Sequence, residues 1–379
     1  MKICFVTNGH KFTAKHRLPL IRVLIKKGHN VSCIAPLGSE AYEYFNNQGF
    51  NCHSVFMSRK GMNIIHEIKS LFSISSKYRE IRPHIVVHAT IKPVLYGTFI
   101  AYYYNKLKVV NLITGLGFVF SHGSLQTKFL RYFILFIYKI IFGYKKQKVV
   151  FQNKKDRLTL LRYSCLKSNN VNLIPSSGAD PYQFTLKPIL LKQINIMLIS
   201  RMIYGKGILS FVKAAKIVKD KNQNIKFILV GPLDIESTDS VPSSILNEWQ
   251  NEGIVEWWGE KDDMASVYEQ AAIVVLPTTY GEGVPKTLLE ASLCGRPVIT
   301  TNISGCRDAV INGESGYLIP PNDPNVLAEK INYLINNPNK ISKMGLAGRD
   351  YVIKNFSTDV IIPQLVNVIE QDIKQRYVN

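Results

Sequence analysis

The sequence lacks the short motifs that identify several classes of nucleotide-dependent and metal-dependent enzymes. No G-x-G-x-x-G follows the first predicted strand, which argues against a nicotinamide-dependent dehydrogenase, and no Walker sequence is present. Neither HExxH nor another grouping with metal-ligand spacing occurs, so no metal or other cofactor is predicted. We find no helix-turn-helix, zinc-finger or RNA-binding module, so no nucleic-acid partner is expected.

Cysteine pairs of the C-x-x-C kind are also missing. The six cysteines are scattered, and the first residues have the pattern of a buried strand rather than of a secretory signal. These features predict a reducing cytoplasm and cysteines that serve as small apolar residues. A chain of 379 residues with 46% hydrophobic content is expected to form two globular domains.

Acidic residues are scarce in the first half of the chain. Residues 1–187 contain 28 Lys and Arg against 6 Asp and Glu, a balance of +22, whereas residues 188–379 contain 19 against 21. The basic half predicts an anionic partner. Because nucleic-acid modules are missing, an anionic membrane surface is the better candidate.

No apolar run is long enough to cross a membrane without interruption. The segment LQTKFLRYFILFIYKIIFGYKKQK (125–148) is apolar and aromatic, but it is broken by Arg131 and Lys139 and closed by three lysines. This composition favours a helix lying in the membrane interface over a spanning helix. The alternative is a core helix with a basic outer face.

Strand-like and helix-like segments alternate twice along the chain. The first series of strands is KICFVTN, VSCIAP, HIVVHA, KVVNLIT, KVVFQN and VNLIP, and the second is INIMLIS, IKFILVG, IVEWWG, AIVVLP and RPVITT. Such apolar runs between helices indicate parallel sheets covered on both faces. We predict an α/β protein of two doubly wound, Rossmann-like domains (1–187 and 188–357) facing across a cleft, with a last helix (358–379) packed back on the first domain.

The stretch TTYGEGVPKTLLEASLCGRPVIT (278–300) begins where the strand AIVVLP ends, at the edge of the sheet where this fold class binds ligands. Pro285 suits the first position of a helix, and the next three amides would be free to hold a phosphate. Glu282 and Glu290 could accept hydrogen bonds from sugar hydroxyls. In SRMIYGKG, Arg201 and Lys206 could converge on a diphosphate.

The patterns R-x4-K-G, G-x-x-D-M (Gly259 to Met264, with one residue extra here) and E-G-x-P-x4-E together resemble the retaining nucleotide-sugar glycosyltransferases of family 4, which have the GT-B fold. The resemblance implies that side chains and helix ends neutralise the donor diphosphate without a metal. It implies that Arg201 and Lys206 bind the diphosphate and act in catalysis, and that Glu290 contacts the ribose. It implies that Glu282 contacts the donor sugar as a further catalytic residue. Further donor contacts are implied for Gly259, Glu260, Lys261, Gly283, Val284, Pro285, Lys286, Thr287 and Leu288.

The stretches TNGHKFTAKHRLPLIRVL and HATIKPVLYGTFIA resemble a bacterial subgroup that builds oligosaccharides on polyprenyl diphosphate. The subgroup includes α-1,3-N-acetylgalactosaminyltransferases that extend an undecaprenyl-diphosphate-linked sugar. The resemblance implies a UDP-sugar donor, with GalNAc favoured over GlcNAc or galactose, and a polyprenyl-diphosphate-linked saccharide as acceptor. It also implies a peripheral position on the cytoplasmic face of the inner membrane.

Several residues at strand ends in the first half are candidates for the acceptor side. Cations near a helix N-terminus oppose the helix dipole, so they favour a bound anion, although ordinary surface charge is the alternative. The acceptor-binding candidates are Gly9, His10, Lys11, Lys15, His16, Arg17 and Lys92. His88 ends a predicted strand beside Thr90, and it is retained as a catalytic candidate although a core role is the alternative.

Asp262 and Asp263 point in different directions on any regular element, and Asp262 is interpreted as a helix cap rather than a metal ligand.

A UDP-sugar 2-epimerase of related fold is one alternative function, but it gives no reason for a basic, aromatic first half. A non-catalytic, membrane-associated sugar-nucleotide-binding protein is the other, and the joint presence of Arg201, Lys206, Glu282 and Glu290 argues against it.

Overall fold

A computed structural model describes residues 1–371 except 37, 58–62, 105–106, 117–124, 165, 191–192, 221, 223, 236, 280 and 282. Side chains are not described at 11, 39–40, 43 and 125–129. The chain forms two compact units. Unit 1 is Met1–Ser177 together with the residues from Ile361 onward, and unit 2 is Gly178–Val360.

Unit 1 is built on a parallel sheet of seven strands in the order β3-β2-β1-β4-β5-β6-β7. The strands are β1 (Lys2–Val6), β2 (Asn30–Ala35), β3 (Asn51–Ser54), β4 (Ile85–Ala89), β5 (Lys108–Ile113), β6 (Gln147–Phe151) and β7 (Val171–Leu173). The connecting helices are α1 (His10–His16), α2 (Leu18–Lys26), α3 (Ser39–Asn46), α4 (Ile64–Ile81), α5 (Ile91–Tyr104), α6 (Leu125–Ile141) and α7 (Lys154–Tyr163).

Helices cover both faces of this sheet because alternate strand residues point to opposite sides. On β1, Ile3 and Phe5 pack in a core with residues of α2. The intervening Cys4 and Val6 pack in another core with residues of α4 and α5. The sheet is therefore doubly wound, as the apolar runs of the first half predict.

Unit 2 repeats the design with a parallel sheet of six strands in the order β10-β9-β8-β11-β12-β13. The strands are β8 (Asn195–Ile199), β9 (Lys226–Val230), β10 (Glu256–Trp257), β11 (Ile273–Leu276), β12 (Val298–Thr301) and β13 (Gly316–Ile319). The helices are α8 (Ile208–Lys219), α9 (Ser243–Asn251), α10 (Met264–Gln270), α11 (Lys286–Leu293), α12 (Pro324–Ile335) and α13 (Pro338–Phe356). A last helix, α14 (Thr358–Glu370), begins in unit 2 and belongs to unit 1 from Ile361. The prediction of two Rossmann-like, parallel-sheet domains is confirmed.

The division between the units falls after Ser177, earlier in the chain than the predicted division after Lys187. The reason is that the intervening segment packs on unit 2. Phe184 belongs to a core of that unit, and its carbonyl accepts a hydrogen bond from Arg349 at 3.1 Å. At the other end of the chain, α14 places Ile361 and Ile369 in the core of unit 1.

Candidate active site

Arg201 lies two residues after the end of β8, at the carboxyl edge of the sheet of unit 2. Its guanidinium Nη1 donates a hydrogen bond to Oδ2 of Asp234, in the loop after the neighbouring strand β9. The Asp234 side chain is only 8% exposed, whereas that of Arg201 is 43% exposed. The buried carboxylate thus holds one end of a cation that remains accessible to a ligand.

Lys206 is the last residue of a 3-10 turn, Tyr204–Lys206. Hydrogen bonds of the Gly205 amide and carbonyl hold this turn in place. The Gly205 amide donates to Oδ2 of Asp239 at 2.7 Å. The Gly205 carbonyl accepts from the Thr278 hydroxyl at 3.0 Å and from the Thr279 amide at 2.9 Å, both after β11. The turn before α8 is therefore held against the end of β11, which brings the RMIYGKG loop beside the TTYGEGVP loop.

Gly207 allows this close approach of the turn to β11. Its φ is +82°, a left-handed conformation that favours glycine, and a Cβ would lie 2.1 Å from the Pro277 carbonyl oxygen. Packing and backbone conformation thus both require a glycine directly after Lys206.

The start of α11 lies beside the end of β8, because the Thr287 hydroxyl donates to the Ile199 carbonyl at 3.3 Å. The sequence predicted Pro285 as the first residue of this helix, but Pro285 is its N-cap. The prediction that the Leu288 amide is free is also wrong, since this amide donates a hydrogen bond to the Pro285 carbonyl at 3.1 Å in a tightened first turn.

Glu290 lies one turn inside α11 and is 2% exposed. The Tyr268 hydroxyl donates to its Oε2 at 3.0 Å, and Lys286 Nζ lies 3.5 Å from its Oε1. Burial, reinforced by this carboxylate, holds the pKa of Tyr268 well above its usual range. The ribose contact of Glu290 stays a prediction, and Glu282 lies outside the described residues.

The turn predicted at the nucleobase also reaches this edge of the sheet. The Gly259 carbonyl, after β10, accepts from the Gly231 amide, after β9, at 2.8 Å. Glu260 and Lys261 follow in exposed positions, while Gly283, Val284 and Pro285 are buried. The helix cap nearby is Asp263 rather than the predicted Asp262, since its Oδ1 accepts from the Ser266 amide at 3.2 Å.

Several features therefore lie at the carboxyl ends of β8 to β11 in unit 2. They are the loop that carries Arg201 and Lys206, the turns at Gly231 and Gly259, and the start of α11. A guanidinium, an ammonium group and a helix N-terminus are the groups that proteins use to hold phosphate oxygens. The arrangement can neutralise a diphosphate. The roles of the individual residues remain predictions.

The sequence reasoning did not identify Asp234, Asp239 and Tyr268, which hold Arg201, Gly205 and Glu290. For the two aspartates a signal existed, because GPLDIESTDS follows a predicted strand of the same sheet. Tyr268 gave no local signal, since it lies in a different helix from Glu290.

In unit 1, the predicted acceptor residues gather around α1. Gly9 is the N-cap of this helix, and His10, Lys15 and His16 belong to it, while the Lys11 side chain is not described. His16 Nδ1 lies 3.3 Å from the Ser177 hydroxyl. Lys92 donates to Glu67 Oε1 at 2.6 Å, which places it between α4 and α5.

His88 is fully buried in β4, and both of its ring nitrogens have partners. The Tyr78 hydroxyl lies 2.7 Å from Nε2, and Asn111 Oδ1 lies 2.8 Å from Nδ1. Burial lowers the pKa of His88 to about 4, although the Asn111 contact acts in the opposite direction. The ring is therefore neutral near pH 7, and these surroundings match the core role rather than the catalytic role considered for it.

The described residues show neither a group of metal ligands nor a membrane-spanning helix. Across residues 1–371, with the gaps given above, no three His, Cys, Asp or Glu side chains are grouped as a metal site requires. Over the same part of the chain, no helix combines the length and apolar character needed to cross a bilayer.

The sequence matches two family profiles that together span most of the chain. Residues 2–153 match the profile described as Glycosyl transferase 4-like, and residues 183–351 match that described as Glycosyl transferases group 1. The chain is a glycosyltransferase with a 4-like first domain and a group 1 second domain. The resemblance to glycosyltransferases of the GT-B fold, drawn from the residues at the ends of β8 and β11, is thereby confirmed, and the retaining mode stays a prediction.

Two curated relatives resemble this glycosyltransferase over nearly its whole length. The capsular polysaccharide biosynthesis glycosyltransferase CapM of Staphylococcus aureus is 26% identical over an alignment of 384 positions, which covers 97% of each chain. The N,N'-diacetylbacillosaminyl-diphospho-undecaprenol alpha-1,3-N-acetylgalactosaminyltransferase of Campylobacter jejuni is 26% identical over 348 residues, 88% of this chain and 89% of that protein.

A solved structure of similar fold is that of Anabaena HepE in complex with UDP and glucose. The match has a TM-score of 0.80 at 16% identity and covers 98% of this chain and 100% of that one. At this identity the likeness concerns the fold alone, and the fold is GT-B.

Proposed function

We propose that this glycosyltransferase moves a sugar from a UDP donor to a saccharide linked to polyprenyl diphosphate, in the assembly of a bacterial surface glycan. The observation that carries the donor half is the meeting of Arg201, the Gly205 turn and the start of α11 at one sheet edge. The activity named for the Campylobacter relative supports a polyprenyl-diphosphate-linked acceptor and makes GalNAc the favoured sugar. The activity named for CapM supports a role in surface polysaccharide assembly.

In the proposed reaction the donor diphosphate leaves as the bond to the anomeric carbon breaks. The acceptor hydroxyl forms its new bond on the same face of the sugar, so the configuration is retained, and the departing phosphate oxygen takes the hydroxyl proton. Arg201 and Lys206 stabilise the charge that develops on the diphosphate. The chain's own cations carry this task, so we propose that no metal is required.

We also propose that the protein works at the cytoplasmic face of the inner membrane, as a peripheral protein. One side of α6 is packed in the core of unit 1, through Leu135 and Tyr138. Its other side exposes Tyr132, Phe133, Phe136 and Ile140, close to Lys139. Exposed aromatic residues among lysines suit an anionic bilayer surface, where each basic residue adds about 1 kcal/mol.

A comparison of two lysine variants in a transfer assay tests the proposed binding of the UDP-sugar donor. Lys206→Ala is expected to lower kcat/KM at least about tenfold, because a charge-assisted contact contributes about 1.5–3 kcal/mol. Lys213→Ala, which removes an exposed lysine from α8, is the control and is expected to leave the rate unchanged. Equal rates for the two variants would remove Lys206 from the site.

The same assay separates the alternative functions. A UDP-sugar 2-epimerase would convert the free nucleotide sugar with no acceptor present, and a binding protein would convert nothing. We expect release of UDP to depend on the polyprenyl-diphosphate saccharide.

A further inference from the structure

Among the residues that the structure describes, two arginines are buried, and they differ in their hydrogen bonds. Arg296 in unit 2 is fully buried, and carbonyl oxygens accept hydrogen bonds from all three of its guanidinium nitrogens at 2.9–3.2 Å. Arg17 in unit 1 is 1% exposed, yet its Nε and Nη2 are shut from solvent with no hydrogen-bond partner among the described residues. The ring of Phe12 lies 5.4 Å from its guanidinium carbon.

Arg17 keeps its charge in this environment. Burial lowers its pKa to about 10, which still leaves the guanidinium protonated at pH 7. No carboxylate of the described residues pairs with it. An uncompensated buried charge is strongly unfavourable, so a fold that retains one is expected to bind a counter-ion there.

The position of Arg17 is suited to an anion. It is both the C-cap of α1 and the N-cap of α2. Pro19 has no N–H, but the amides of Leu18 and Leu20 have no partner inside α2, and the dipole of α2 favours negative charge there. The Arg17 amide donates to the Thr13 carbonyl at 2.9 Å, and the Thr13 hydroxyl lies 2.6 Å from that of Thr7, directly after β1. Arg17 is thus tied to the carboxyl end of β1.

A second unpartnered group follows the neighbouring strand. Thr90 comes directly after β4, which pairs with β1 from Ile3 to Val6. Its Oγ1 is buried without a hydrogen-bond partner in the part of the chain that the structure describes, and its φ of +78° is rare for a threonine. Strained residues with unmet polar atoms concentrate where ligands bind.

We infer that Arg17, the N-terminus of α2 and the Thr90 hydroxyl form a pocket for a phosphoryl group at the carboxyl edge of the sheet of unit 1. All three contribute donors, and a phosphate offers several acceptor oxygens and the negative charge that the pocket lacks. The inference rests on the proposed function for the source of this group, which is the diphosphate of either the acceptor or the UDP-sugar.

Thermal unfolding with inorganic pyrophosphate tests the pocket without any transfer activity. We expect pyrophosphate to raise the Tm of the wild-type protein and of Arg22→Met, which alters an exposed arginine on the same helix. The Arg17-dependent part of the shift is expected to persist in a Lys206→Ala background, which removes the predicted donor cation. A shift that is equal in Arg17→Met and wild type would overturn the inference.

The same variants report on the buried charge in the absence of an anion. In chloride buffer, Arg17→Met is expected to unfold at the wild-type temperature or above it, because it removes a charge with no partner. Arg296→Met is expected to unfold at a much lower temperature, because it leaves several carbonyl groups without a donor. A similar loss in both variants would show that Arg17 has partners of its own.

Kinetics then identify the source of the phosphoryl group. If it belongs to the acceptor, Arg17→Met raises the KM for the polyprenyl-diphosphate saccharide about tenfold or more, and if it belongs to the donor, the KM for UDP-sugar rises instead. Unchanged KM values for both would overturn the inference while leaving the proposed function intact. Absence of transfer by the wild-type protein would overturn the proposed function, and the pyrophosphate shift would still decide the pocket.

Discussion

The candidate site residues of this protein are held in position by partners distant in sequence. Arg201 is held by Asp234, and the Gly205 turn is held by Asp239 and Thr278. The sequence predicted the cations and the glycine turns, because their spacing after strands is local. It did not predict the carboxylates of Asp234 and Asp239, because a pairing between loops becomes visible only when neighbouring strands are placed.

His88 gives a prediction that concerns stability rather than catalysis. Its pKa in the folded protein is about 4, below the ordinary value of 6.5. A proton therefore binds more tightly to the unfolded chain, and the stabilisation present above pH 6.5 is lost as the pH falls toward 4. The loss amounts to about 3 kcal/mol if the whole shift is expressed.

The measurement is the free energy of unfolding between pH 4 and pH 7 for the wild type and for His88→Gln. The wild type is expected to lose more stability than the variant over this interval. Parallel curves for the two proteins would mean that His88 is not held neutral in the folded state.

At the scale of elements, most strands were predictable because they are short, apolar and bounded by helical segments. The two that the sequence analysis missed are β3 and β13, and each lies at the end of its sheet. Residues of β3, with the sequence NCHS, are mostly polar, since an edge strand needs less apolar surface than a central one. Its strand character comes from pairing with β2 rather than from its own composition.

The turn between β8 and α8 yields a prediction at this scale. Gly207→Ala is expected to lower both stability and activity, because its Cβ would collide with the Pro277 carbonyl and its φ of +82° is unfavourable for alanine. Conformation alone costs about 1–2 kcal/mol, and the collision adds to this.

Gly253→Ala is the matched control for that substitution. Gly253 has a φ of +69°, but a Cβ there would meet nothing within 4 Å. It should show the conformational cost in chemical denaturation with normal transfer activity. If the two variants lose equal stability and both remain active, the approach of the Gly207 turn to β11 does not matter to the site.

At the scale of the whole molecule, the unequal charge of the two halves predicts a partner for unit 1. Sedimentation with vesicles containing anionic lipids should recover the protein, and added salt should weaken binding. Tyr132→Ser with Phe136→Ser, on the exposed side of α6, should reduce recovery. Leu346→Ser, at an exposed apolar residue of unit 2, should not. Equal recovery of these variants would exclude α6 as the membrane contact.

The fold class was predictable from sequence at this scale, whereas the division of the chain was not. Alternation of strands and helices indicated two doubly wound units, but the position of a boundary depends on which core each connecting residue enters. Phe184 enters unit 2 and Ile361 enters unit 1, and neither choice is encoded by local composition.

The measurement that tests the central claim most directly is the identification of a product by mass. The purified protein is incubated with a panel of UDP-sugars and a short polyprenyl-diphosphate HexNAc. The account predicts an acceptor heavier by one sugar residue, with UDP-GalNAc as the favoured donor, and a much smaller yield from Lys206→Ala. An unmodified acceptor with every UDP-sugar in the panel would contradict it.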